Sequence, residues 1–321
     1  MDKLEFLIPI YNEESCLDHL MDRLDAIKQD FTDVDLHVLF INDGSNDKSL
    51  EILVSYTQKF DYVRLIDLSR NFGHQFALTA GLDHCEADYV CIIDGDLQDP
   101  PELVKDFYNR AKQGLFNVVY GQRSARAGES YFKKKSASFF YKFISAMCKT
   151  EIPRDTGDFR LIDKKVLTSL RSMKESHRFI RGMVPWLGFK SEAFQYDRDA
   201  RFAGETKYTL SKMLRFAMDG IFSFSRKPLR VASYLGILVA FLGFLGMAYM
   251  IYLKLFTKDV VEGITVVLTS IATLGGVQLL MLGILGEYIG RIFEQSKNRP
   301  LYIIDKIYDG RKDFNKRIAD D

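Results

Sequence analysis

The chain has only four cysteines in 321 residues, Cys16, Cys85, Cys91 and Cys148, and no two of them form a C-x-x-C pair. That spacing excludes a zinc ribbon and offers no disulfide framework, so free thiols in a reducing compartment are expected. The five histidines are scattered, and none stands four residues from another as a histidine metal motif requires. An excess of either charge is also missing, because 44 basic residues face 43 acidic ones. No nucleic-acid partner is expected, since such binders carry a basic surplus or a recognisable module. Repeats and low-complexity tracts are absent. The N-terminus opens with Asp2, Lys3 and Glu5, so no cleavable signal peptide is expected.

Long uncharged runs are present. Residues 231–253 and 264–285 contain no charged side chain, and each is long enough to cross a bilayer as a helix. Buried core helices are the alternative, although uncharged runs of this length are rare in soluble cores. Arg226, Lys227 and Arg230 precede the first run, and Arg291, Lys297 and Arg299 follow the second. The positive-inside rule then puts both termini in the cytoplasm of a multi-pass protein of the inner, cytoplasmic membrane. The expected division is a cytoplasmic domain over 1–225, a transmembrane hairpin over 226–290 and a cytoplasmic tail over 291–321. The charged tail after Pro300 is expected to be loosely held. Gly236, Gly243 and Gly246 in the first span, and Gly275, Gly276 and Gly283 in the second, would let helices approach closely, within the hairpin or between protomers of a homo-oligomer.

Before the hairpin, short β-rich runs at 4–10, 36–41, 63–68, 89–93 and 118–120 alternate with amphipathic stretches such as 14–28 and 48–59. This alternation predicts an α/β fold with a mostly parallel sheet. Such sheets bind ligands beyond the carboxyl ends of their strands, where the polar clusters of this chain fall. The first run enters Pro9-Ile10-Tyr11-Asn12-Glu13, the second Asn42-Asp43-Gly44-Ser45, the third Ser69-Arg70-Asn71 and the fourth Asp94-Gly95-Asp96. Each alone is also ordinary turn and N-cap chemistry. Segments 131–149 and 209–224 join aromatic to basic residues, as helices lying at a membrane surface do, and soluble helices packed on the sheet are the other reading.

Two carboxylates one residue apart at a strand end can hold Mg²⁺ or Mn²⁺, hard ions that share oxygen ligands with substrate phosphates. Asp94 and Asp96 have that spacing, whereas Asp99, just before Pro100-Pro101, reads as a helix-start residue. His74 and Trp186 stand out singly and receive no role beyond shaping their loops. Glu287 is placed one turn before Arg291, its expected partner.

Taken in order, PIYNE (9–13), NDGS (42–45), DGDLQDPPE (94–102), GQR (121–123), TGDFRL (156–161), RFAGETKY (201–208) and GEYIGRI (286–292) resemble the polyprenyl-phosphate glycosyltransferases of glycosyltransferase family two. Among these the chain is most similar to bactoprenol (undecaprenyl-phosphate) glucosyltransferases, over nearly its whole length. The resemblance implies a GT-A (Rossmann-like) fold and inverting transfer of a hexose from a nucleotide sugar, UDP-glucose first, to a polyprenyl phosphate with Mg²⁺ or Mn²⁺. Mannose, N-acetylglucosamine or a modified arabinose are the alternative sugars. It implies nucleotide-sugar contacts for Pro9, Tyr11, Glu13, Asp43, Asp94 and Gln98, with Asp94 and Asp96 at the metal. It also implies an acceptor-side catalytic carboxylate at Asp158. The acceptor is a phosphate monoester, largely dianionic near neutrality because its second pKa is about 6, so orientation rather than base catalysis is the expected role of Asp158. Arg123, Arg201 and Lys207 are the candidates for holding the acceptor phosphate, Arg by a bidentate fork and Lys as a point charge. A non-catalytic lipid-carrier transporter or membrane scaffold is the competing class. It is disfavoured because two spans are few for a transport path and every expected carboxylate is intact. Processive polymer synthesis is disfavoured by the missing Q-x-x-R-W signature.

Overall fold

Apolar runs and amphipathic stretches take turns as β-strands and helices in a computed structural model that describes residues 1–123, 156–197, 227–256 and 263–310. The segments 131–149 and 209–224, and with them Arg201, Lys207 and Cys148, lie outside the described residues. The first half runs β1 (Asp2–Ile10), α1 (Leu17–Asp30), β2 (Val34–Asn42), α2 (Ser49–Lys59), β3 (Val63–Leu68), α3 (His74–His84), β4 (Tyr89–Ile92), α4 (Val104–Gly114) and β5 (Val118–Arg123). Then come β6 (Thr156–Asp163), α5 (Lys164–Ser172), α6 (Ile180–Trp186) and β7 (Ser191–Tyr196). Two long helices, α7 (Lys227–Phe256) and α8 (Ile264–Ser296), precede β8 (Ile304–Asp309).

The eight strands form one sheet in the order β7-β5-β6-β4-β1-β2-β3-β8. β1 pairs in parallel with β2 and β4, β2 with β3, and β5 with β7, whereas β6 runs antiparallel to both β4 and β5. Helices cover both faces, which is why the central strands read as continuous apolar runs rather than alternating ones. Phe6, Ile8, Val38 and Phe40 point into one core layer with α1 and α4. Leu7, Leu39, Ile41 and Ile66 point into the other with α3 and α5. Full burial of each such side chain contributes roughly 1.5–3 kcal/mol.

Glu5 interrupts β1 on that second face and is fully buried. Arg64 Nη2 lies 2.6 Å from Glu5 Oε1, and the Cys85 thiol donates to Glu5 Oε2 at 2.8 Å. Burial and the Glu5 charge push the Cys85 thiol up, so this cysteine is an inert core group. Cys16, Cys85 and Cys91 are buried, and among the described residues none of them forms a disulfide.

The expectation of a loosely held tail fails for Ile304–Asp309. This segment returns to the sheet as β8, antiparallel to β3, with Ile307 opposite Ile66 and Tyr308 opposite Leu65. Ile304 and Ile307 pack against the second core layer. Beneath the net charge, Ile304 and Ile307 pack on one core layer and Tyr308 on the other, so this segment covers the β3 edge that would otherwise be open.

Helices α7 and α8 are both long and apolar enough to cross a membrane, over Lys227–Leu253 and Thr273–Ser296. Their apolar side chains face outward, with Leu238 52% and Phe241 57% exposed, so they are not core helices of a soluble fold. At Gly236 an added Cβ would come within 3.0 Å of Met281 Cε, which makes this glycine a close-approach point between the two helices. At Gly243, Gly246, Gly275, Gly276 and Gly283 an added Cβ would meet nothing within 4 Å among the described residues.

Candidate active site

The polar clusters gather along one edge of the sheet because they follow the carboxyl ends of β1, β2, β3 and β4. The first two loops are stitched together reciprocally. The Asn12 N–H donates to Ser45 Oγ at 3.1 Å, the Asn46 N–H to Asn12 Oδ1 at 2.8 Å and the Glu13 N–H to Ser49 Oγ at 3.1 Å. Pro9 is buried at the end of β1 opposite Ile41, while Tyr11 is 40% exposed at the crevice.

The second and third loops are locked as tightly. Gly44 has φ +63°, and a Cβ there would sit 2.4 Å from the carbonyl carbon of Arg70. Beside it, Asp43 Oδ1 accepts from the Phe72 N–H at 2.7 Å and Oδ2 from the Gly73 N–H at 2.9 Å. Burial raises the Asp43 carboxyl, and those two N–H groups only partly offset it. Both oxygens of Asp43 therefore hold the loop that leads into α3.

That loop delivers His74, the first residue of α3, to the strand-end acids. His74 Nε2 lies 3.0 Å from Asp158 Oδ2 and 3.7 Å from Asp94 Oδ1. Asp158, fully buried on β6, is closed from the other side by Arg181 on α6. Arg181 Nε donates to Oδ1 at 2.8 Å and Nη2 to Oδ2 at 2.7 Å, a bidentate fork. Burial alone would raise the Asp158 carboxyl, but the Arg181 charge and the His74 and Arg181 hydrogen bonds reverse this and hold it well below the usual carboxylate range. Asp94 moves the other way: burial and the neighbouring Asp158 and Asp99 charges outweigh the pull of His74. Two acids within one cluster are thus driven apart in basicity.

Asp94 Oδ1 is shielded from solvent and takes no hydrogen bond from the described residues. One ligand atom each from His74, Asp94 and Asp158 falls within 4.8 Å of the others, close enough for a shared cation. Asp158 is the poorest of the three donors, because both of its oxygens already accept from Arg181. Asp96 lies two residues past Asp94 in a turn where Leu97 has φ 59° and the Gln98 N–H donates to Asp96 Oδ1 at 3.2 Å. The orphaned Asp94 oxygen suits a hard divalent ion, and Asp96 is not among the three residues the structure gathers there.

Asp99 is not a helix-start residue. The short turn at Pro101–Leu103 has no side-chain cap, and Asp99 is fully buried, accepting from the Tyr196 hydroxyl with Arg123 Nη2 3.8 Å away. Closure of β7 against β5 carries Tyr196 to this position, so Asp99 fixes Arg123 at the end of β5. Arg160 is also buried, and its guanidinium donates to the carbonyls of Gly157 and Asp158 at 2.9 and 3.3 Å. Burial lowers it to about 10 despite the Asp158 charge.

Of the residues marked in the sequence, the fold gathers Tyr11, Glu13, Asp43, Asp94, Asp96, Gln98, Arg123 and Asp158 on this edge. His74 and Arg181 enter the centre without having been assigned there. A histidine directly after a glycine, in the loop that follows the third β-rich run, was a readable signal. Nothing in the spacing of Arg181, 23 residues beyond Asp158, marks it.

Residues 5–171 match the family described as Glycosyl transferase family 2. The chain belongs to that family. This family 2 glycosyltransferase has the GT-A type of α/β sheet, and residues 227–292 match the GtrB C-terminal hairpin. It is 48% identical to the glycosyltransferase YkcC of Bacillus subtilis over 94% of this chain and 93% of that one. It is 37% identical to the bactoprenol glucosyl transferase of Shigella phage SfII over 96% of this chain and 99% of that one. Among solved structures it is similar to Staphylococcus aureus TarS (residues 1–349) in complex with UDP-GlcNAc, with TM-score 0.49 and 16% identity over 91% of this chain and 81% of that one.

Proposed function

We propose that this family 2 enzyme transfers a hexose, glucose from UDP-glucose, to undecaprenyl phosphate at the cytoplasmic membrane face with inversion at the sugar carbon. The observation that carries the reading is the cluster of Asp94, His74, Asp158 and Arg181 on a sheet edge, in a chain that continues into an exposed apolar hairpin. The near full-length likeness to a bactoprenol glucosyl transferase supports the lipid acceptor.

In this reading the stitched loops around Tyr11, Glu13 and Asp43 form the nucleoside side of the crevice. Asp43 acts by fixing the Phe72-Gly73 backbone. Asp94 and Asp96 would hold Mg²⁺ or Mn²⁺, which supplies charge neutralisation for the leaving diphosphate. Gln98 lies beside the diphosphate and sugar.

A phosphate oxygen of the acceptor attacks the anomeric carbon, the bond from that carbon to the nucleotide oxygen breaks, and UDP departs with the electron pair. The nucleophile needs no base, because the acceptor's second pKa is about 6. Asp158 is equally unsuited to take a proton, being held ionised and closed by Arg181. Its role is to fix the sugar and acceptor geometry, which is where catalytic advantage from orientation arises. Arg123, poised by Asp99 and Tyr196, offers charge to the incoming phosphate. Arg201 and Lys207, outside the described residues, are proposed to complete that clamp.

A donor screen tests the reading. Purified full-length enzyme, undecaprenyl phosphate and a panel of nucleotide sugars should give a glycolipid with UDP-glucose, and chelation should abolish the product until Mg²⁺ or Mn²⁺ returns. Failure to form a glycolipid from any nucleotide sugar would remove the enzyme reading.

A further inference from the structure

The cytoplasmic end of α8 does not hang free of the catalytic sheet. Gln295 bridges two backbone groups of the segment between α5 and α6: its Oε1 accepts from the Ser176 N–H at 2.7 Å and its Nε2 donates to the Lys174 carbonyl at 2.8 Å. One residue earlier, Glu294 Oε2 lies 2.8 Å from His177 Nε2. Just after the helix, the Tyr302 hydroxyl donates to Asp83 at the far end of α3 at 3.0 Å.

The segment held in this way ends at Arg181. Arg178 folds back to donate to the Leu170 and Met173 carbonyls at 2.7 and 2.8 Å, closing the end of α5. The Ile180 N–H donates to Gln75 Oε1 at 2.9 Å, and Gln75 is the neighbour of His74. Arg181 follows immediately and forks onto Asp158. A continuous set of contacts therefore runs from the end of α8, through residues 174–180, to the carboxylate in the crevice.

Resting on the lipid-acceptor reading, we propose that Gln295 is a positioning residue for Asp158, acting through the 173–179 segment and Arg181. The physical demand is one of registration. A lipid-borne phosphate is fixed in height by the bilayer, whereas Asp158 is fixed by the sheet. Joining the helix that leaves the bilayer to the arginine that orients Asp158 ties those two frames together. α6 has only seven residues, too few to hold its own geometry without tertiary contacts. The hairpin thus serves both as an anchor and as one wall of the acceptor-side geometry.

The test uses full-length enzyme in lipid nanodiscs, comparing wild type, Gln295→Ala and Gln295→Glu, the last keeping the acceptor for Ser176 N–H. Hydrogen exchange across 174–184 reads the link without substrate. Glycolipid turnover reads its consequence. In Gln295→Ala, exchange at 180–183 rises and kcat falls by about fivefold, the size of one net hydrogen bond. KM for the nucleotide sugar stays within about twofold, because the donor-side loops after β1, β2 and β4 make no hydrogen bond with Gln295 among the described residues and keep their own. Gln295→Glu recovers part of the turnover. Unchanged exchange at 180–183, unchanged turnover, or a matching loss of nucleotide-sugar affinity would each overturn the proposal. If wild-type enzyme makes no glycolipid, the functional reading fails, and the exchange result still decides whether α8 holds Arg181.

Discussion

Arg181 and Asp158 meet as a bidentate pair across the crevice, Nε to Oδ1 at 2.8 Å and Nη2 to Oδ2 at 2.7 Å, with the carboxylate fully buried. Both oxygens of this carboxylate already accept from the arginine, which also holds it ionised. In the proposed mechanism its part is therefore to orient the sugar and acceptor, with the arginine setting its position.

Removing the arginine leaves a buried charge without its main partner. Arg181→Ala is expected to destabilise the catalytic domain by about 3 kcal/mol, the lower end for a broken buried pair because His74 remains beside Asp158. Arg181→Lys keeps the charge and loses the fork, so it should be more stable than the alanine variant and still at least tenfold slower than wild type. Thermal unfolding beside glycolipid turnover separates the two effects.

The sign of the Asp158 shift fixes its pH behaviour. Its folded pKa is depressed, so the pair's stabilisation is fully present above the unfolded value of about 3.9 and is lost as pH falls through the folded value. The stability gap between wild type and Asp158→Asn should therefore close in acid below about pH 4, and it should also narrow as pH rises through the pKa of His74, which burial lowers but the Asp158 hydrogen bond and the Asp94 and Asp158 charges raise. The acid limb of turnover should instead follow the acceptor phosphate near pH 6 and stay in place in Asp158→Asn. If the mutant recovers a near-normal rate at high pH, orientation is not the main role of Asp158.

The sheet was legible in the sequence wherever a strand is buried on both faces. Val63–Leu68 was read to the residue, and β1, β2 and β4 to within two residues at either end. The strand-end acids were legible for the same reason, since polar clusters after buried runs must fall on one edge. Asp99 was misread because local turn chemistry before two prolines imitates a helix start, whereas its partner Tyr196 is 97 residues away. Arg181 and β8 were invisible for a related reason. Each depends on a contact between segments distant in the chain, and neither carries a periodic pattern of its own.

Gly44 offers a test of the loop geometry. Gly44→Ala should destabilise by about 1–3 kcal/mol, because alanine is strained at φ +63° and its Cβ would collide with the Arg70 backbone. The displaced loop also carries Asp43, so UDP affinity should fall in isothermal titration while the Arg181–Asp158 pair stays intact.

Ile307 tests the returning strand. Ile307→Asp puts a charge opposite Ile66 against the second core layer and should lower catalytic-domain stability by about 2–3 kcal/mol, with faster hydrogen exchange along Val63–Leu68. Asp305→Ala, at the exposed position of the same strand, should change stability by less than about 0.5 kcal/mol.

The anomeric outcome tests the central claim most directly. Purified enzyme in nanodiscs with undecaprenyl phosphate, Mg²⁺ and isotopically labelled UDP-glucose should yield an undecaprenyl-phosphate hexose whose NMR coupling shows inversion from the α-linked donor to a β-linked product. A retained α linkage, or release of UDP with no label on the lipid, would contradict it.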